Sequence, residues 1–418
     1  MAGDETAMNL HHLKTYPHVE KALGLPDLMQ SLYDEGRKVL MDQTLVTLHG
    51  EEHRARRLLE MRIFRRDFLR FYEEDVLPGL LEETLAPRLA ARRLEVVEFG
   101  YRVMIHLAIA FAGIDRQRCT DEESDGLLHM IRVFGKAATL GQLKGDPEPV
   151  RQEIREQLGI FERDFFLPSV QRRRDAIAAW RAGALPEEEL PRDILTVLLK
   201  NEDNLELASD VLRNEVAFFF LAGAHTSVHS LGHLVHHLLE WCEAHPEERA
   251  LLEADALRVQ RFAHESFRLH PSSPVARRRA VADTQLPDGS VAVTGDTVVI
   301  DLRQANRDES VFGADAAAFN PLRRLPTVIF PHGITFGSGA HACLGKALAA
   351  GTVLRGEQAP VEGNHQIGTV ATIAQRLLQA GARRDPAQEP RVDRKIERET
   401  WEFYPLLLGA AVPAGDSA

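Results

Sequence analysis

The stretch from Asp210 to Trp241 constrains this chain most. It contains no proline and reads as one uninterrupted helix. Its middle, Val216-Ala-Phe-Phe-Phe-Leu221, is apolar on every side, so the helix must run buried through the centre of the protein. Everything else has to pack around it. From Arg62 to Arg116, apolar residues such as Phe68, Phe71, Leu77, Val97, Tyr101 and Met104 recur at three- and four-residue spacing, the mark of amphipathic helices. Further helical blocks are expected over Leu28 to Met41, Ser124 to Leu140 and Val150 to Ala182, with short helices and loops before residue 45. Strand character concentrates between residues 281 and 304, around the turn Leu286-Pro-Asp-Gly289, and again at Trp401 to Leu408. The expected fold is mainly α with a small β portion, in a single domain over residues 1–418.

Composition narrows the function classes. A formal charge of −12 argues against general nucleic-acid binding and broad adhesion to anionic membrane. The longest apolar runs, such as Val216 to Ala224, fall well short of the roughly 20 residues that span a bilayer. Cys119, Cys242 and Cys343 are too scattered for a disulfide framework or a zinc site. A soluble, cytoplasmic protein without a membrane span is expected.

The chemistry centres on Phe336-Gly-Ser-Gly-Ala-His-Ala-Cys343-Leu-Gly345. It sets one cysteine in a glycine-rich turn directly before an Ala/Leu-rich run, Lys346 to Ala350, that should start a helix. Backbone N–H groups of the turn and the helix N-terminus favour a thiolate. A lone thiolate in such a nest is a good axial ligand for haem iron.

Phe336, Gly337, Gly339, His341, Cys343 and Gly345 resemble, in order and spacing, the haem-binding loop of the cytochrome P-450 family of haem-thiolate monooxygenases. Three other stretches carry the same resemblance. Ala222-Gly223-Ala-His225-Thr226, in the central helix, is similar to the family's oxygen-activating motif. There a small Ala-Gly step makes room over the iron and the threonine relays protons. The family's usual acid before that threonine is replaced by His225, which can itself carry protons near neutral pH. Glu265-Ser-Phe-Arg268 matches the Glu-x-x-Arg helix, implying a structural network with Arg323 behind the cofactor. His53 and Arg57, four apart on one helix face, match a pair that reaches the haem propionates; alone they could equally be a solvated basic face. The resemblance adds Arg278 and His341 as propionate partners.

The resemblance implies haem b held by Cys343, with Thr226, His225, Gly223 and Ala222 at the oxygen site. It implies oxidation, most often hydroxylation, of a small organic or natural product that is free or carrier-bound, as in secondary metabolism. Electrons would come from a separate ferredoxin and its reductase. Two alternatives stay open: oxidative coupling or another non-hydroxylating oxidation, given His225, and a haem-binding sensor or carrier without turnover. The stripe His225, His229, His233, His237, with His236 beside it, could be ordinary packing, a proton path or, at this spacing, a zinc site lacking its glutamate. Both chain ends depart from the family. The region before His53 is expected to be abbreviated, the first sheet and pocket roof included, leaving the pocket open or covered by a partner. Gly351, Gly356, Pro360 and Gly363 interrupt the helix that should follow the cysteine loop.

Overall fold

The computed structural model describes residues 9–409, apart from 206, 356, 357, 359, 362, 363 and 395–397. The strands that matter for the site are β1 (Leu10–Leu13), β2 (Leu28–Gln30), β3 (Val275–Ala280) and β4 (Thr297–Asp301). The helices that matter are α1 (Gly50–Glu60), α2 (Val96–Ala112), α3 (Asp121–Ala137), α4 (Ser209–Ala244), α5 (Ala256–Leu269), α6 (Lys346–Ala350) and α7 (Thr369–Gln379).

Helix α4 is the axis of the molecule. Val216, Ala217, Phe220, Ala224, Val228 and Leu234 are all fully buried along its length. It ends at His245 because Pro246 cannot continue the helical hydrogen bonding. Helix α2 lies against it. Its N-cap, Glu95, accepts from the Val97 and Glu98 amides at 2.9 and 2.7 Å, and Gly113 closes its C-terminus at φ 88°. A Cβ on Gly100 would sit 3.3 Å from Val228 and Leu231, so this glycine lets α2 and α4 approach closely.

The four strands form one sheet in the order β1-β4-β3-β2, with β1 parallel to β4 and the other pairs antiparallel. Leu13, Val298 and Ile300 bury a second, smaller core beneath it with Tyr16 and Val19. This corrects two expectations. The first sheet is present despite the short N-terminus, and Leu28–Gln30 is a strand, not the start of a helix. Leu28 and Gln30 are buried while Met29 is half-buried, and that alternation beside β3 outweighs any helical preference. Helical structure begins only at Asp34 and runs to Met41.

The interruption after the cysteine loop has a physical cause. Helix α6 stops at Gly351, which sits at φ 71°, where a Cβ would be 2.3 Å from the Gln366 carbonyl oxygen. A Cβ on Gly368, at φ 90°, would be 2.5 Å from the Gly351 nitrogen. The two strands of chain cross backbone to backbone, and only glycine fits both positions. The Gln260 side chain locks the crossing by donating to the carbonyls of Ala350, Gln366 and Ile367 at 3.1, 2.9 and 3.0 Å. Gly356 and Gly363 lie outside the described residues. Among the described residues no helix is long and apolar enough to cross a membrane.

Candidate active site

The cysteine loop is held from three sides. The Cys343 amide donates to the Phe336 carbonyl at 2.8 Å, closing the turn. Gly339, at φ 68°, packs where a Cβ would be 2.8 Å from the Leu23 carbonyl. From α1, Arg57 donates through Nη2 to the Ala342 carbonyl at 2.5 Å. Behind the loop, Arg268 makes a bidentate pair with Glu265, both bonds 2.7 Å, and also donates to the Asn306 and Ala316 carbonyls. Arg323 reaches the same Glu265 carboxylate at 3.4 Å, so the three expected network residues do meet. Asn306 then ties this network to the loop: its amide donates to the Arg268 carbonyl and to Thr335 Oγ1, and its oxygen accepts from the Ile334 amide at 2.8 Å.

The Cys343 side chain has open surface, yet protein encloses it on all sides; that surface faces an internal cavity of about 330 Å³. This is the size range of small-molecule sites. The same cavity is lined by Ala222, Gly223 and Thr226 from α4, by Phe336, Gly337 and Gly345 of the loop, and by His53, Arg57, Arg278 and His341. Burial raises the Cys343 thiol pKa, against the Gly345 and Lys346 amides and the Arg57 and Lys346 charges, which favour the thiolate. A cation bound at sulfur would reverse that balance.

The cationic side of the cavity is uncompensated. Among the described lining residues there is no carboxylate. Arg278 is 3% exposed, and burial lowers its pKa to about 10; its partner is the neutral Gln30, opposite it in the β2–β3 register. His53 is buried with Nε2 unpartnered, its ring 4.1 Å from that of His341. Burial and the neighbouring Arg57 push His53 down to about 4, and burial with His53 pushes His341 to about 3. A buried arginine, a half-buried one and two histidines held neutral are an environment for a dianion. A sulfur facing open space on the same cavity supplies one soft ligand. These residues fit a haem: Cys343 would hold the iron, and His53, Arg57, Arg278 and His341 would meet its carboxylates.

Thr226 donates to the Ala222 carbonyl one turn back at 3.1 Å, which leaves its hydroxyl lone pairs on the cavity side. A Cβ on Gly223 would sit 3.6 Å from Ala108, an ordinary contact, so α2 packs directly beside α4 here. His225 is not among the lining residues. Its ring turns to α2, with Nδ1 2.7 Å from Tyr101 Oη and Nε2 3.2 Å from His229 Nε2. Burial, with the charge of Arg398, holds it neutral down to about 3. The rest of the stripe disperses: His233 bonds the Glu399 carbonyl, His236 the Tyr404 hydroxyl and His237 the His270 ring. Among the described residues no group of three or more His, Cys, Asp or Glu could hold a metal ion.

Tyr101 and Arg398 were invisible in the sequence because neither belongs to a motif; each matters only through what α4 brings beside it. The same holds for Arg56, which pairs with Glu215 at 3.0 Å with Glu60 next to it, all fully buried.

Residues 257–353 match the family model for cytochrome P450. A cytochrome P450 of Bacillus subtilis (strain 168) is 31% identical over 187 residues, 44% of each chain. Pulcherriminic acid synthase of the same organism is 25% identical over 369 residues, 82% of this chain and 80% of that protein. Nocardicin C N-oxygenase of Nocardia uniformis subsp. tsuyamanensis is 30% identical over 252 residues, 56% and 60% of the two chains. The matched segment thus spans less than half of the first of these relatives and four-fifths of the second. Among solved structures, CalO2 superposes with a TM-score of 0.72 at 18% identity, covering 95% of this chain and 90% of that one. P450BioI, solved in complex with a fatty-acyl-loaded acyl carrier protein, gives 0.70 at 18% identity, covering 95% and 92%. A cysteine nest below a cavity, a Glu-Arg-Arg network behind it, a long buried helix above and a fold shared from end to end are what this chain has in common with the cytochrome P450 family.

Proposed function

We propose that this protein is a single-domain haem-thiolate monooxygenase that inserts an oxygen atom from O2 into an organic molecule. The observation that carries the reading is the shared cavity, with Cys343 on one wall and Thr226 on the other. When bound, the haem supplies O2 activation and oxygen-atom transfer, and Cys343 supplies the electron push that favours O–O cleavage. The chain's own residues do the rest. Ala222 and Gly223 leave room above the metal position. Thr226 Oγ accepts a hydrogen bond on the cavity side while donating to Ala222, and so holds a proton beside the reacting atoms. Phe64, Phe111, Phe218 and Phe219 line the cavity and exclude water from it.

Electrons come from a separate ferredoxin and reductase. Helix α1, whose Arg57 grips the cysteine loop, exposes Leu58, with Met61 just beyond its end, and Arg54 paired with Glu51 at 3.5 Å, an apolar patch with a mixed-charge rim on which a small carrier could dock. The names of the relatives support natural-product substrates, free or carrier-bound. The test is the carbon monoxide difference spectrum of the reduced protein beside that of Cys343→Ala. A red-shifted Soret band lost in the variant is expected; a histidine-type band in the wild type would overturn the reading.

A second reading keeps the thiolate haem and replaces oxygen insertion with oxidative coupling. What favours it is His225, which stands where an acid would be and is committed to Tyr101 and His229. Turnover under isotopically labelled O2 separates the two: label in the product supports insertion, and an unlabelled, dehydrogenated product supports coupling.

A further inference from the structure

On the cavity wall around Thr226 stand four hydroxyls whose protons are already committed. Thr226, Ser227, Ser230 and Ser272 all line the cavity. The Thr226 hydroxyl donates to the Ala222 carbonyl at 3.1 Å, and that of Ser227 to the Gly223 carbonyl at 3.4 Å, each one turn back along α4. Ser272, just past the end of α5, donates to the Thr226 carbonyl at 3.2 Å. A serine hydroxyl carries one proton. Ser272 can therefore only accept in its 3.2 Å contact with Ser230, and Ser230 is the donor. What these four side chains have left for a ligand is lone pairs. Ser273, next in the chain, also lines the cavity and makes no side-chain hydrogen bond among the described residues, so it alone of the group keeps its proton.

A wall of acceptors calls for a donor. The haem does not supply one: its edges are carbon, and its carboxylates are themselves acceptors, for which His53, Arg57, Arg278 and His341 stand ready. The donor is also uncharged. Arg57 and Arg278 already make the cavity cationic, and among its described lining residues no carboxylate would balance an ammonium group. An N–H or O–H of a neutral molecule satisfies both conditions. A molecule without one leaves the lone pairs dry, and sites built on such hydrogen bonds reject analogues that lack them.

We propose that Ser230 and Ser272 form an acceptor subsite of the cavity that takes a neutral N–H or O–H donor of the substrate. The inference rests on the monooxygenase reading of the cavity and narrows its substrate class to uncharged molecules that carry such a donor. Ser230 lies four residues beyond Thr226 on the same helix, about 6 Å along its axis, and Ser272 is bonded to the Thr226 carbonyl itself. A molecule anchored there sets an atom a few bonds from its donor beside Thr226, so the subsite fixes the position of oxidation as well as the ligand.

The experiment titrates the haem-loaded protein with matched pairs that differ in the donor alone, read by Soret shift and by calorimetry: caprolactam and N-methylcaprolactam, acetanilide and N-methylacetanilide, cyclohexanol and cyclohexanone, benzyl alcohol and benzyl methyl ether. In the wild type at least one donor binds about tenfold or more tighter than its partner, the size of one buried hydrogen bond. Ser230→Ala (S230A) brings that pair within about twofold, and Ser230→Thr, which keeps an accepting hydroxyl, retains a preference. If S230A fails to load haem, Ser272→Ala carries the comparison with the same expected loss. Equal binding within every wild-type pair, which would mean that water serves these lone pairs, overturns the subsite. So does no binding at all, or a preference that neither variant diminishes. The carbon monoxide spectrum of the same samples reports the thiolate haem separately, so loss of the subsite and loss of the monooxygenase reading are distinct results.

Discussion

Tyr101 Oη lies 2.7 Å from His225 Nδ1, and this bond joins α2 to α4 beside Thr226. Removing the hydroxyl strands an imidazole nitrogen that has no other partner among the described residues. Tyr101→Phe should therefore lower stability by about 1–3 kcal/mol. The midpoint of denaturant unfolding at unchanged slope checks this, and a loss below about 0.5 kcal/mol would mean His225 finds another donor.

Arg57 clamps the cysteine loop through the Ala342 carbonyl and stands on the cationic side of the cavity. Arg57→Leu should speed haem loss to a competing apoprotein by about 10–100-fold, the range of one or two charged hydrogen bonds. Apo-protein stability should change much less, and that contrast identifies a ligand contact.

The Glu265–Arg268 pair is different in kind. Arg268 has no exposed surface and serves five acceptor sites, two of them on the Glu265 carboxylate. Arg268→Ala leaves that carboxylate buried with only Arg323 and the Asn320 amide, a loss of about 3–5 kcal/mol. The expected result is little or no soluble protein. Arg268→Lys should fail almost as fully, since one ammonium cannot span those acceptors.

Glu60 gives a pH prediction. Its carboxyl is fully buried, neither oxygen has a hydrogen-bond partner, and burial together with Glu215 raises its pKa well above the ordinary value. The folded protein thus keeps this proton at a pH where the unfolded chain has released it. Stability from this group is complete below the ordinary carboxyl range, around 4.5, and falls as pH rises toward the raised value. Glu60→Gln, permanently neutral, should match the wild type near pH 5 and melt higher near pH 8. Parallel melting curves across that range would contradict the assignment.

Gly351→Ala tests the crossing behind the loop. The added methyl group meets the Gln366 carbonyl and the Gln260 amide in a left-handed conformation, so a loss above about 2 kcal/mol is expected. Gly145→Ala, positive in φ but with open space around it, should cost only about 1 kcal/mol and serves as the control.

Much of the site was legible because its parts are local. Phe336 to Gly345 form one turn, Glu265 and Arg268 sit one helical turn apart, and the apolar run at Val216 announces a buried helix without help from neighbours. What could not be read depends on distant partners. Leu10–Leu13 and Leu28–Gln30 are too short to show a period, and they become strands only because β4 and β3 lie alongside. His225 looked like a replacement acid from its place in the motif; the direction of its ring is set by Tyr101, more than a hundred residues earlier. Gly351 read as a helix breaker, whereas its reason is Gly368 passing beneath it.

That crossing also changes how the chain beyond it can be edited. The Thr352 amide donates to the Gln366 carbonyl at 2.8 Å, and the Gln366 amide returns a bond to Thr352 Oγ1 at 3.1 Å. The intervening segment, residues 353–365, is thus stapled together at its ends. Its length is decoupled from the haem loop: doubling such an excursion adds only about 0.6 kcal/mol of closure entropy. The exposed positions Gln358, Pro360 and Val361 are therefore a natural port for grafting a tag, a reporter or a tethered reductase without moving the cysteine.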